Sequence, residues 1–110
     1  MSLFVHVTKE CRKSAEKHGA LDIVEKLAKQ VEEEQSDEMF EKSPKPFMVK
    51  RNVRRRAGRL LAVKRFTIVD GQNHAVVVFL RLMMYDADHY DQKMCQNAQA
   101  YYDAEFRSSL

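Results

Sequence analysis

The sequence predicts one α+β domain of order β-α-α-β-β-β-α, a mostly antiparallel sheet with its helices packed at one side. Three patterns lead there: period-two alternation at the start and again from Phe47 to Ile68, helical spacing from Leu21 to Val31, and an almost unbroken apolar run from Ala75 to Met84. A chain of 110 residues is long enough for one hydrophobic core and too short for two, so 1–110 reads as a single domain. Its 45% hydrophobic and 32% charged residues are an ordinary globular balance.

Each element has its own signal. Leu3, Val5 and Val7 alternate with Phe4 and His6, which predicts a first strand. Thr8 offers a hydroxyl cap to a short polar helix from about Lys9 to His18, closed by Gly19, with Cys11 and Ala15 as its inward contacts. Ile23, Val24, Leu27, Ala28 and Val31 form one face of a second helix, for which Asp22 and Glu25 are spaced as a capping box. The acidic stretch Glu32 to Glu41 and then Pro44 and Pro46 bring that helix to an end. Phe47, Val49 and Val53 predict a strand, Ala57-Gly58 a turn, Leu60, Ala62, Phe66 and Ile68 a second strand, and Asp70-Gly71 a tight hairpin. The run from Ala75 to Met84 predicts a central strand covered on both faces. Tyr90, Met94, Ala98 and Tyr101 recur at helical spacing and predict a terminal helix.

Several function classes lack their motifs. The longest apolar run is far below the roughly 20 residues that cross a bilayer. Cys11 and Cys95 lack CxxC spacing and no secretory signal precedes them, which reads as two free thiols in a reducing cytoplasm. A single disulfide is the alternative. His6, His18, His74 and His89 are scattered without metal-ligand spacing, no serine sits in a nucleophile motif, and no glycine-rich loop precedes a Lys-Ser/Thr pair, so neither a metal nor a nucleotide cofactor is expected. The opening Met1-Ser2-Leu3 and the closing Leu110 leave open a piece of a longer chain.

Charge is unevenly distributed although the net value is only +3. Lys50, Arg51, Arg54, Arg55, Arg56, Arg59, Lys64 and Arg65 fall between Val49 and Phe66 with no acidic residue among them. Guanidinium groups grip phosphate oxygens in bidentate fashion and stay charged at any physiological pH, so the pattern points to RNA or DNA. Strict alternation would place Lys50, Asn52 and Arg54 on one side and Arg51 on the other. The bland alternative is a charged sheet edge that deters aggregation. Glu32 to Glu41, with six carboxylates and no base, reads as a solvated helix end, with an intramolecular stand-in for phosphate or a partner surface as alternatives.

Gly58-Arg59-Leu60-Leu61, then Phe66 to Asp70 and Val76-Val77-Val78-Phe79-Leu80, resemble the last hairpin of RelE-type toxins, and Val5-His6-Val7-Thr8-Lys9 is similar to the start of that RelE/ParE superfamily. The likeness covers about the first 92 residues in topology. It implies a RelE-like fold and, in active toxins of toxin-antitoxin pairs, ribosome-dependent cleavage of messenger RNA through the RNA's own 2′-hydroxyl. Carried over residue by residue, it makes Lys50 a sheet lysine, Arg59 the sheet arginine and Tyr90 the late tyrosine of a catalytic set. The chain departs from the pattern at Tyr85-Asp86-Ala87-Asp88-His89, where the family places late basic residues. Carboxylates there repel a scissile phosphate. The reading is therefore a RelE-like domain that binds nucleic acid, RNA before DNA, with weak or lost catalysis, in the setting of an amino-terminal module of a larger helicase-type enzyme. An active messenger-RNA endoribonuclease is the alternative, and a protein-interaction module is a second. The terminal helix, Gln92 to Arg107, is expected to dock an antitoxin or a downstream domain.

Overall fold

The computed structural model describes residues 2–42, 47–54, 57–83, 100, 102 and 103, without the side chains of Arg54 and Ala57. These form an α+β fold of two helices and a five-stranded, mostly antiparallel sheet. The elements are β1 (Ser2–Val7), α1 (Lys9–Lys17), α2 (Leu21–Glu34), β2 (Glu41–Lys42), β3 (Phe47–Arg54), β4 (Ala57–Val69) and β5 (Gln72–Met83). Strand order across the sheet is β1-β5-β4-β3-β2, with β1 parallel to β5 and the other pairs antiparallel. Among the described residues no helix is long and apolar enough to cross a membrane.

The apolar run becomes β5 because that strand has a neighbour on each edge and cover on each face. Ala75, Val77, Phe79 and Leu82 pack with Val24, Leu27 and Val31 of α2 and with Cys11 and Ala15 of α1. Val78, Leu80 and Met83 belong to a second cluster with Val49, Leu61 and Val63, on the face away from the helices. A bulge lets both clusters fill. Leu61 pairs with Arg81 but Ala62 pairs with Phe79, so Leu80 is the extra residue, and the alternation resets around it.

Thr8 joins α1 to this strand. Its hydroxyl accepts from the Cys11 N–H at 3.1 Å and donates to the Phe79 carbonyl at 2.8 Å, while fully buried. Ser14 continues the attachment by accepting from the Leu82 N–H at 2.9 Å. At the far end of α2, Gln35 takes the left-handed conformation at φ 50°, and its amide brackets Leu3, accepting from the Leu3 N–H and donating to the Leu3 carbonyl, each at 2.8 Å. The helix thus ends by holding the sheet's first strand.

Three local expectations are corrected. α2 starts a residue before the capping box, with Ala20 as N-cap and no side-chain cap bond, so Asp22 lies in the first turn and favours the helix dipole instead. Ala57-Gly58 opens β4 rather than forming the turn before it. β3 does not alternate cleanly through its basic end: Arg51 pairs with Arg59 and Arg54 with Ala57, so β3 carries an extra residue there, and Asn52 absorbs it at φ 54°. The sequence pattern also lacked β2, whose two residues continue the sheet from inside the acidic block. Of the expected terminal helix, residues 100, 102 and 103 are described and helical; the rest, with Tyr90 and the Tyr85 to His89 corner, lies outside the described residues.

Candidate nucleic-acid interface

Register assigns each basic residue to a face, because directly paired residues share a side of the sheet. Arg51 pairs with Arg59, Arg59 with Met83, and Arg65 with Val76. Met83 and Val76 belong to the helix-free cluster, so Arg51, Arg59 and Arg65 lie on that face. Lys50 pairs with Leu60 and Lys64 with Val77, both partners in the helix-side core. The structure therefore brings three arginines to one face and sends Lys50 and Lys64 to the other. Of the remaining basic residues, Arg54 is placed by its backbone, and Arg55 and Arg56 lie outside the described residues.

Lys50 and Arg59, expected together in a catalytic set, thus sit on opposite faces. The Lys50 ammonium donates to the Arg51 carbonyl at 2.8 Å. Tyr90 lies outside the described residues.

Part of the acidic block meets the basic segment directly. Glu41 pairs with Val49, on the arginine face, and its carboxylate accepts from the Arg51 Nε. Asp37 lies 3.3 Å from the Lys64 ammonium on the helix side. Glu41 and Asp37 thus form ion pairs with the basic segment within the chain. Glu33 instead pairs along the helix with Lys29 at 3.9 Å, both largely exposed, as a solvated helix end does.

The arginine face also carries aromatic groups. Tyr102 packs against the helix-free cluster, and the Arg65 guanidinium lies 5.0 Å from its ring centroid, a cation–π distance. On β1, Phe4 pairs with Val76 and His6 with Val78, which puts both on this face. Phe4 is 46% exposed and meets His74 edge-on at 5.3 Å. Phe4, Val76 and Arg65 form one row across three strands. The signal for Phe4 and His6 was present in the sequence as the positions alternating with Leu3, Val5 and Val7.

The centre of this face is closed: Leu61, Val63, Val78 and Leu80 are each at most 4% exposed. Its rim is polar, with Arg51 and Arg59 at one end and Arg65 and Phe4 toward the other. Such a rim can hold a chain of phosphates with cations and present an aromatic side chain to an unstacked base. Comparison with protein-family models, with curated proteins and with solved structures finds no match to this chain.

Proposed function

We propose that the chain is a nucleic-acid-binding domain of RelE-like topology, acting on single-stranded RNA before DNA, with weak or lost catalysis. The observation that carries this reading is the convergence of Arg51, Arg59 and Arg65 on one side of the sheet, with Phe4 in the Arg65 row. Cations track the backbone and an aromatic face accepts any base, a sequence-tolerant mode of binding single strands. Helix-side Lys50 and Lys64 play no part in that surface. A catalytic set needs its acid, base and phosphate-binding cations around one phosphorus atom, and separation of Lys50 from Arg59 by the sheet argues for binding without efficient cleavage.

Two further elements of the reading rest on sequence likeness. These are the amino-terminal position in a helicase-type enzyme and the docking of an antitoxin or downstream domain by the terminal segment. The test of the main reading is fluorescence anisotropy with a labelled single-stranded RNA, the matching DNA and the RNA duplex. Binding that favours the single strands and weakens with salt supports it. Equal, salt-indifferent binding or none at low salt returns the arginines to a solvated sheet face.

A further inference from the structure

We propose that the β4–β5 hairpin is a homodimerisation element, and that two copies of this chain pair antiparallel along the free edge of β4 about a two-fold axis at Thr67.

β3 ends its pairing with β4 at Phe47 opposite Val63. Beyond that point, among the described residues, β4 is bonded on one edge only, to β5, from Lys64 through Val69. The ribbon so formed carries Phe66, Ile68 and Val69 with 65%, 70% and 50% of their surfaces exposed. A long, open, apolar edge is a template for another strand. Isolated exposed apolar residues are common, but here Phe66 and Ile68 lie side by side on one face of the open edge, with Val69 on the other face.

The direction of the free backbone groups follows from the turn. Asp70 and Gly71 both have positive φ, 52° and 78°, the signature of a two-residue type I′ hairpin. Val69 and Gln72 are then the closing hydrogen-bonded pair. Because alternate residues bond the same neighbour, Thr67 and Arg65 also bond β5, while Ile68, Phe66 and Lys64 direct their N–H and C=O groups to the open edge. Those groups are the ones an added strand would use.

The segment Lys64-Arg65-Phe66-Thr67-Ile68-Val69-Asp70 is complementary to itself when reversed. Centred on Thr67, the register sets Phe66 opposite Ile68 of the second copy, twice, as hydrogen-bonded pairs joining an aromatic to a β-branched side chain. Lys64, which lies 3.3 Å from Asp37 of its own chain, then comes to the level of the turn residue Asp70 of the other copy at each end, a further opposite charge that disfavours a register slipped by two residues. Thr67 meets its own copy in a non-hydrogen-bonded pair. The symmetry is closed, since both chains use the same patch and each covers the open edge of the other's β4. This edge meets the arginine rim at Arg65, which the register sets opposite Val69 of the other copy, whereas Arg51 and Arg59 lie on the stretch of sheet where β3 covers β4. The dimer stands whether or not that rim binds nucleic acid.

The test uses the full chain with Cys95→Ser, so that a new thiol reports alone; Cys11 is fully buried. Sedimentation velocity from about 5 to about 500 μM, a range that brackets weak strand-edge association, should show a concentration-dependent rise toward twice the 12.9 kDa chain mass. Thr67→Cys should cross-link into a covalent dimer on mild oxidation, because Cα atoms in a non-hydrogen-bonded pair lie about 4.5 Å apart, within disulfide reach. Phe4→Cys, exposed but away from the edge, should not. Ile68→Lys should weaken the dimer at least ten-fold. Combining it with Phe66→Glu should restore the dimer, because each introduced carboxylate then faces an introduced ammonium of the other copy across the axis. Circular dichroism on each variant checks that the fold is kept. A chain that stays monomeric at the top of the concentration range overturns the proposal. So does a dimer that survives Ile68→Lys or fails to cross-link at position 67.

Discussion

Arg51 and Arg59 stand directly opposite each other across β3 and β4, on the face of the sheet away from the helices. Like charges in that relation are destabilising by themselves. Glu41, brought alongside by the two-residue β2, accepts from the Arg51 Nε and offsets part of the repulsion. A phosphate can do the same with more oxygens and more charge. If the pair binds nucleic acid as proposed, Glu41 competes with it for Arg51.

Glu41→Gln tests that competition. Removing the carboxylate's charge should tighten single-stranded RNA binding about three- to ten-fold at low salt, the equivalent of roughly 0.7–1.4 kcal/mol, and should lower thermal stability slightly because Arg51 loses an exposed ion pair. Unchanged or weaker binding would show that Arg51 does not contact the nucleic acid.

Thr8 supports the fold that presents this face. Thr8→Val keeps the shape of the side chain but leaves the Cys11 N–H without its cap and takes a donor from the Phe79 carbonyl. The expected loss is about 1–3 kcal/mol in urea unfolding, with Thr8→Ser losing much less. Equal losses for the two would assign the effect to packing.

Cys11 is buried, and burial pushes its thiol up to about 12, with neighbouring Arg12 lowering and Glu10 raising it by less. The folded thiol should resist alkylation at about pH 8 and react at the ordinary rate after unfolding. An acid whose pKa is raised by folding stays neutral in the native state while the unfolded chain ionises above about 9, so stability should be full below that pH and decline between it and about 12. Cys11→Ala should flatten this decline; an unaltered slope would assign it to other groups.

Much of this architecture could be read from the residues. The period-two runs gave the strands, helical spacing gave α2, and the unbroken run Ala75 to Leu80 marked a strand covered on both faces. The facing of the basic cluster was harder, because a bulge carries no fixed composition and Asn52 at positive φ shifts everything after Arg51. β2 escaped because two charged residues have no periodicity; what makes them a strand is the edge offered by β3. Gln35 has no cap signature either, since its role depends on Leu3, 32 residues away in the chain. The division of Lys50 from Arg59 follows from the register of Lys50 with Leu60 and Arg51 with Arg59, which pairing alone decides.

That division yields an expectation for catalysis. In a translation-coupled assay the chain should cleave ribosome-bound messenger RNA poorly or not at all, with Arg59→Ala and Lys50→Ala indistinguishable from the native chain. Cleavage by the native chain that either substitution abolishes would promote the endoribonuclease reading.

The proposed function places single-stranded nucleic acid on the rim holding Arg51, Arg59 and Arg65. Its most direct measurement is the salt dependence of anisotropy binding for the native chain, Arg51→Ala/Arg59→Ala, and a control on α2, Lys29→Ala, whose side chain is 77% exposed. Each phosphate contact on a single strand contributes about 0.7 to the slope of log affinity against log salt. The native chain and the Lys29 variant should share one slope, and the double variant should bind at least ten-fold more weakly with a slope shallower by about 1.4. Equal affinity and slope in all three proteins would show that these arginines do not contact the nucleic acid.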